Sequence, residues 1–199
     1  MDTAFLIDGF NFYHSIKPLP RQLRWFDYDA YCRHFMRATD TLTSITYFSA
    51  LATWRLDRVA RHEVFIEACK AKGIRVILGK FKEKPSQCPH CRQGIHRHEE
   101  KATDVNLALS AYRHAAQGIE QIILVTGDTD LIPAIRMVKN DFPKTKVGLV
   151  FPYHRDNREL EKEADFHHKT RKEILPAFRL PERIQKPNGK FVTCPPQWA

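Results

Sequence analysis

Four consecutive aliphatic residues, Ile122-Ile123-Leu124-Val125, run directly into Thr126-Gly127-Asp128-Thr129-Asp130. An unbroken apolar run of this kind predicts a strand covered on both faces, and such strands belong to parallel sheets with helices above and below. The turn sets two carboxylates at the carboxyl end of the strand, the edge where open α/β sheets bind ligands. Asp-x-Asp has an ordinary alternative, because Asp also forms turns and caps helices. Its meaning depends on whether other acids arrive at the same edge.

The N-terminus repeats the design. Ala4-Phe5-Leu6-Ile7 is a short apolar strand that ends in Asp8-Gly9-Phe10-Asn11. Asp8 alone reads equally as a turn residue, and Asn11 as a cap. Asp27 can cap a helix reaching about Arg37, with Tyr28, Tyr31, Cys32 and Phe35 on its apolar face. Ser44–Leu51 has the β-branched and aromatic content of a second strand. Asp57 opens a helix with Val59, Phe65, Ile66 and Cys69 inward, stopped at Gly73, and Ile74–Gly79 forms a third strand. A long helix is expected from Glu99 to near Gly118, with Val105, Ala108, Leu109 and Tyr112 facing the core. Asp104 adjoins that stripe, with Leu107, Ala108 and Ala111 at neighbouring helical positions. A carboxylate there is expensive unless paired or bound to a cation, although the helix dipole would also favour an Asp in the first turn. After the central strand come a helix over 131–138 with Pro133 in its first turn, a strand over 147–151 and a helix over 157–166. Alternating strands and helices with right-handed crossovers predict an α/β fold with a parallel sheet.

Residues 80–98 break the rhythm. Lys80, Lys82, Lys84, Arg92 and Arg97 make a basic stretch that could track phosphates or simply be solvated. Within it, Cys88-Pro89-His90-Cys91 followed by His96-Arg97-His98 offers a possible structural zinc site, with Cys88 and Cys91 the stronger ligands and His96 and His98 the weaker. A redox pair or unligated surface residues are the alternatives. Beyond about residue 168 a basic, proline-rich tail (169–199) is expected to be irregular, either a backbone-tracking arm or plain disorder.

The formal charge of +9 across 199 residues favours a polyanionic partner, nucleic acid first among them. The length fits one domain with a small insertion or tail. The N-terminus lacks a basic leader, and no stretch approaches the roughly 18 apolar residues of a membrane helix, so a cytoplasmic protein without a membrane partner is expected. Five cysteines, an odd number with a single motif among them, argue against a disulfide framework.

Asp8, Asp104, Asp128 and Asp130 could therefore meet at one sheet edge. Clustered carboxylates repel one another, which implies a hard cation such as Mg²⁺ or Mn²⁺. In a basic protein, that combination suggests phosphodiester chemistry. Leu6-Ile7-Asp8-Gly9-Phe10-Asn11, Glu100-Lys101-x-x-Asp104-Val105 and Val125-Thr126-Gly127-Asp128-Thr129-Asp130-Leu131 together resemble the NYN domain, in the LabA-like branch of the PIN-like nuclease superfamily. The match spans residues 4–166. Relatives often carry Ser where this chain has Thr126, and the Cys-x-x-Cys segment resembles an insertion of that branch.

The resemblance implies a three-layer PIN-like, Rossmannoid domain over residues 1–168 with a Cys/His insertion at 80–98. Its implied strand order is 3-2-1-4-5, which would set the first and fourth strands side by side. It implies a metal-dependent ribonuclease leaving a 5′-phosphate and a 3′-hydroxyl. Asp8, Asp104 and Asp128 would hold the metal, Asp130 would add a ligand or orient water, and Asn11 would position substrate or water. Lys101, one turn before Asp104, is either a phosphate contact or a surface charge. Phe10 and Tyr13 are stacking candidates for bases, although aromatic residues beside a strand end are more often core. A non-catalytic RNA-binding protein that keeps the fold is the main rival, and retention of all four acids speaks against it. A haloacid dehalogenase-type enzyme would need Asp-x-Asp after the first strand, and a P-loop nucleotidase would need a Gly-x4-Gly-Lys motif; neither is present. Homo-oligomerisation is compatible with the sequence.

Overall fold

The computed structural model describes residues 1–87 and 93–199. Its centre is a six-stranded sheet built from β1 (Asp2–Asp8), β2 (Thr41–Ser49), β3 (Arg75–Leu78), β6 (Gln121–Val125), β7 (Lys146–Phe151) and β8 (Phe166–Lys169). The order is β3-β2-β1-β6-β7-β8, and every adjacent pair is parallel. Between the third and fourth of these strands, β4 (Lys80–Gln87) and β5 (Gly94–Lys101) form a separate antiparallel hairpin. The helices are α1 (Gly9–Ile16), α2 (Tyr28–His34), α3 (Leu56–Ala71), α4 (Thr103–Ala116), α5 (Ile132–Asp141) and α6 (Arg158–Glu163).

The period of two along each strand explains the unbroken apolar runs. Phe5, Ile7, Tyr47, Ile123 and Val125 belong to one core, packed with α1, α2 and α3. Leu6, Phe48, Ile122, Leu124 and Leu149 belong to the other, against Leu107 and Ala111 of α4, Ile135 of α5 and Leu160 of α6. Both faces of the central strands are dry, as a sheet clad in crossover helices requires.

The expected five-strand order is embedded in this sheet, but the sheet continues. β8 adds a sixth strand beside β7, at the end of the segment expected to be helix, where α6 stops at Glu163. The helix expected from Glu99 starts instead at Thr103, because Glu99, Glu100 and Lys101 pair with Lys82, Phe81 and Lys80 in the hairpin. The residue between, Ala102, takes φ 78° to turn from strand into helix. The core face of α4 is Leu107, Ala111 and Ala115, while Val105 and Leu109 are 59% and 64% exposed. Their i,i+4 spacing suits either side of a helix, and the face that packs on the sheet is turned by more than a quarter-turn from the one the spacing suggests.

Residues 170–199 are not an irregular arm. A 3-10 turn at Lys172–Phe178 and a hairpin of β9 (Arg183–Gln185) and β10 (Phe191–Thr193) lay Leu175, Phe178, Leu180, Ile184, Val192 and Trp198 into the core shared with α2 and α3. Trp25 donates its indole N–H to the Pro181 carbonyl at 2.8 Å, and Lys186 pairs with Glu67 of α3 at 2.7 Å. Enough apolar area is buried there to offset the ordering entropy that proline-rich sequence would otherwise retain. No described helix is long and apolar enough to cross a membrane.

Candidate functional site

The parallel pairing of β1 with β6 runs through Ile7 opposite Val125, so the residues following each strand emerge together. Asp8 ends β1 and caps α1, its carboxylate accepting from the Asn11 N–H at 2.9 Å. It also accepts the Thr126 hydroxyl at 2.9 Å, and that same hydroxyl accepts the Asp128 N–H at 3.1 Å. The Asn11 side-chain carbonyl accepts the Gly127 N–H at 3.1 Å. These bonds tie the ends of two strands separated by more than a hundred residues. Gly127 has no alternative here, because a Cβ would collide with the Arg155 carbonyl. Gly9 is equally constrained, with the Phe48 carbonyl 2.5 Å from where its Cβ would lie.

The third acid comes from α4. Glu100 accepts the backbone N–H of Thr103 at 3.1 Å and also its hydroxyl, fixing the start of the helix. Asp104 in the first turn then reaches Asp8 and Asp128, and one oxygen from each of the three lies within 4.8 Å of the others. Among the described residues this is the only group of three or more metal-ligating side chains that close. Asp8 is 3% exposed, and Asp104 and Asp128 are half-buried.

The electrostatics show the strain of this arrangement. Burial pushes the Asp8 carboxyl up to about 6, against the hydrogen bonds from Asn11 and Thr126, and Asp104 and Asp128 push it further. Burial also raises Asp104, helped by the negative charges of Asp128, Glu100 and Asp130. Three carboxylates this close are costly unless protonated or neutralised by a cation. An all-oxygen donor set that is partly open to solvent suits Mg²⁺ or Mn²⁺, which retain several waters.

Other expected residues lie around this centre. Asp130 is exposed and outside the close group; its N–H donates to the Asp128 carboxylate at 3.0 Å, so Asp128 caps the short 3-10 turn that follows. Lys80, Lys82 and Lys84 share one face of β4, with Lys84 and Lys101 both paired to Glu99 at 3.2 and 3.0 Å. Glu99 thereby neutralises part of the expected basic strip. Cys88, Cys91 and Arg92 lie outside the described residues, and only the backbone register of Arg97 is described, opposite Lys84. His96 pairs through Nδ1 with Glu83, and His98 stacks on Trp54 with ring centroids 3.6 Å apart.

Sequence reasoning missed the positioning roles of Glu100 and of the Thr126 hydroxyl. It also missed a cleft of about 770 Å³ beside the acids, whose lining includes Gly9, Trp54, Arg55, Arg58 and His62. The available signal was Trp54-Arg55-x-x-Arg58-x-x-Arg61, three arginines at helical spacing behind a tryptophan.

A 6-hydroxy-3-succinoylpyridine 3-monooxygenase, HspA, from Pseudomonas putida is 28% identical across 98% of this chain and 75% of its own length. A crystal structure of a protein of unknown function from Vibrio parahaemolyticus superposes with a TM-score of 0.57 at 18% identity, covering 90% of this chain and 96% of that one, and so shares the fold. The model of the NYN domain family matches residues 2–171, from the first residue of β1 to just past β8. The nuclease-type sheet, the three acids at its edge and this match agree: the chain belongs to the NYN domain family.

Proposed function

We propose that the protein is a Mg²⁺- or Mn²⁺-dependent ribonuclease that hydrolyses phosphodiester bonds to a 5′-phosphate and a 3′-hydroxyl. The observation that carries this reading is the convergence of Asp8, Asp104 and Asp128 within 4.8 Å at the sheet edge of a NYN domain. A divalent cation bound there would supply an acidified water and neutralise charge developing on the phosphoryl oxygens. Asp8, held by Asn11 and Thr126, would fix the buried side of the ion, while Asp104 and Asp128 would close the solvent side. Asp130, at the rim, would orient water, and Asn11 keeps the Gly127 turn in register with the first strand. Lys80, Lys82, Lys84, Arg92, Arg97 and Lys101 would contact phosphates further along the strand of RNA. A zinc ion on Cys88 and Cys91, with His96 and His98, is part of the same proposal, as is membership of the LabA-like branch. The stack on Trp54 engages the face of the His98 ring, and Glu83 engages only Nδ1 of His96, so each ring keeps a nitrogen for a metal.

The test is incubation of single-stranded and structured RNA with Mn²⁺ or EDTA, for the wild type and Asp128→Asn. Cleavage by the wild type in Mn²⁺ alone is expected. Intact RNA in every lane across a broad panel would leave a binding protein on a nuclease fold.

A second reading follows from the monooxygenase relative, whose name attaches it to a small pyridine bearing a succinoyl chain. The aromatic, arginine-rich cleft is a place where a planar anion of that type could sit. Oxygen- and reductant-dependent consumption of 6-hydroxy-3-succinoylpyridine would establish it. The all-carboxylate group favours the first reading, since oxygen-activating iron sites characteristically include histidine.

A further inference from the structure

The cleft beside the acids has two chemically distinct walls. One is a run of aromatic rings: Phe10 meets Phe81 edge-on at 5.4 Å, Phe81 meets Trp54 at 4.7 Å, and Trp54 lies flat on His98 with an interplanar angle of 13°. Trp54 keeps 40% of its surface open, whereas the other two tryptophans, Trp25 and Trp198, are buried. The run begins two residues after Asp8 and crosses to the β4–β5 hairpin.

The second wall is cationic. Lys17, Arg21, Arg24, Arg55, Arg58 and Arg61 line the cleft, with Asp57 the one acid among its described lining residues. Asp57 is occupied by Arg61 at 2.9 Å. Arg55, Arg58, Arg21 and Arg24 make no ion pair among the described residues, and the buried Nε of Arg24 has no hydrogen-bond partner there. Positive charge concentrated this way, without internal compensation, calls for an anion from outside.

Between the walls lies a polar floor. The hydroxyls of Tyr47 and Ser49 stand 3.5 and 3.4 Å from Nε2 of His62. Contacts that long leave hydrogen-bonding capacity unspent. Burial holds the His62 imidazole down at about 4, so it is neutral near pH 7 and carries one donor and one acceptor nitrogen.

We propose that this cleft holds an unpaired nucleotide of single-stranded RNA, with Trp54 stacking on the base, Arg55 and Arg58 at the start of α3 and the 3-10 turn at Arg21–Arg24 holding the flanking phosphates, and Tyr47, Ser49 and His62 meeting the edge of the base. Base-on-aromatic stacking with a cationic backbone track is how single strands are bound without a duplex groove. The lining of the cleft includes Gly9 and Phe10, the two residues that follow Asp8, so a strand seated in it would pass the start of α1 toward the acid cluster. The inference deepens the ribonuclease reading by specifying single-stranded substrate, and it rests on that reading only for the choice of RNA.

Binding can be measured apart from cleavage. A fluorescein-labelled single-stranded oligoribonucleotide of about twelve nucleotides, long enough to fill such a track, is titrated by anisotropy in EDTA against a blunt duplex of the same sequence. The single strand should bind more tightly, and Trp54→Ala should weaken it roughly ten-fold or more, the loss expected for one stacked base. Trp54→Phe should restore most of the affinity. Quenching of tryptophan fluorescence by RNA should be strong in the wild type and largely lost in Trp54→Phe, where only the buried Trp198 remains in the cleft, a signature that a purely structural role would not produce. Absence of wild-type binding, equal binding of the duplex, or unchanged affinity in Trp54→Ala and in Arg55→Gln/Arg58→Gln would each overturn the proposal. So would quenching of Trp54 by 6-hydroxy-3-succinoylpyridine and not by RNA. The two readings separate cleanly. Mn²⁺-dependent cleavage that these variants do not alter would sink the cleft and keep the nuclease. Trp54-dependent binding without cleavage under any condition would do the reverse.

Discussion

The acid edge and the aromatic–arginine cleft lie side by side but are built in opposite ways. The acids sit on the ends of buried parallel strands and in the first turn of a packed helix, locked by Thr126, Asn11 and Glu100. The cleft has a floor on β2 and α3, through Tyr47, Ser49 and His62, but its exposed walls add loop, hairpin and 3-10 turn, with arginines that have few partners and a tryptophan open to solvent. A centre that must hold an ion in a fixed geometry needs rigid supports, whereas a surface that receives a flexible polymer can be laid on adaptable ones. The difference teaches that placement of the chemistry follows topology, and placement of recognition follows the insertions between topological elements.

If that division is correct, disturbing the acid edge should have the largest effect on catalysis and a small effect on RNA binding. Asp128→Asn is expected to reduce RNA cleavage on the order of 10²–10³-fold in a gel assay, with affinity in EDTA unchanged or improved by removal of a negative charge. An Asp128→Asn protein that cuts at the wild-type rate would break the comparison at its strongest point.

The next effect is one of stability. Asp8 titrates at about 6 in the folded protein against 3.8 for an unperturbed carboxyl. The folded state therefore binds more protons than the unfolded state between those values, and metal-free stability must fall as pH rises through that window. The loss is roughly 3 kcal/mol from Asp8 once it is complete, visible as a declining melting temperature from about pH 4 to 6. Asp8→Asn should flatten much of the decline, and Mn²⁺ at pH 7 should restore stability to the wild type. A melting temperature that is flat across the window would show that the acids are not strained.

Thr126→Val removes the hydroxyl that links Asp8 and Asp128 while keeping the shape of the side chain. It leaves a buried carboxylate short of a donor, and about 1–3 kcal/mol of stability should be lost in chemical denaturation. The smallest effect belongs to the cleft. Arg55→Gln/Arg58→Gln should leave the melting temperature within about 1 °C of wild type, as expected for exposed positions. It should also reduce the slope of log affinity against log salt by about 0.7 for each phosphate that is no longer neutralised. A large drop in stability would mean that these arginines hold the fold rather than a ligand.

How much of this could be read from the residues follows the same division. Strands β1, β2, β6 and β7 were legible because both of their faces are buried, which forces apolar runs on the sequence, and the edge strand β3 because it still carries Val76-Ile77-Leu78. β8 was not, since Phe166-His167-His168-Lys169 is an edge strand with mostly exposed side chains and no run to detect. The hairpin was hidden for a related reason: its Lys and Glu pairs satisfy cross-strand neighbours without needing an apolar face. The C-terminal segment misled because Leu175, Phe178, Leu180, Ile184, Val192 and Trp198 are buried at irregular intervals that follow neither a helical nor a strand period. Asp8, Asp104 and Asp128 were legible as acids at the ends of periodic elements. Glu100 and Thr126 each act through a pair of hydrogen bonds, which leave no periodic pattern, and the cleft joins Trp54 to His98 across a pairing that local sequence does not encode.

The Thr126–Asp8 hydrogen bond spans 118 residues of chain. Everything between, including β2, β3, the hairpin and α4, must be threaded before β6 can dock against β1 and bring the two acids together. Contacts of such long sequence separation close late, because the loop entropy is spent before any pairing repays it. On the proposed reading, Mn²⁺ affinity should therefore appear on refolding only after the helical signal has already returned. The three acids meet only when the sheet is complete, so the cluster is a property of the finished fold and not of any segment of it.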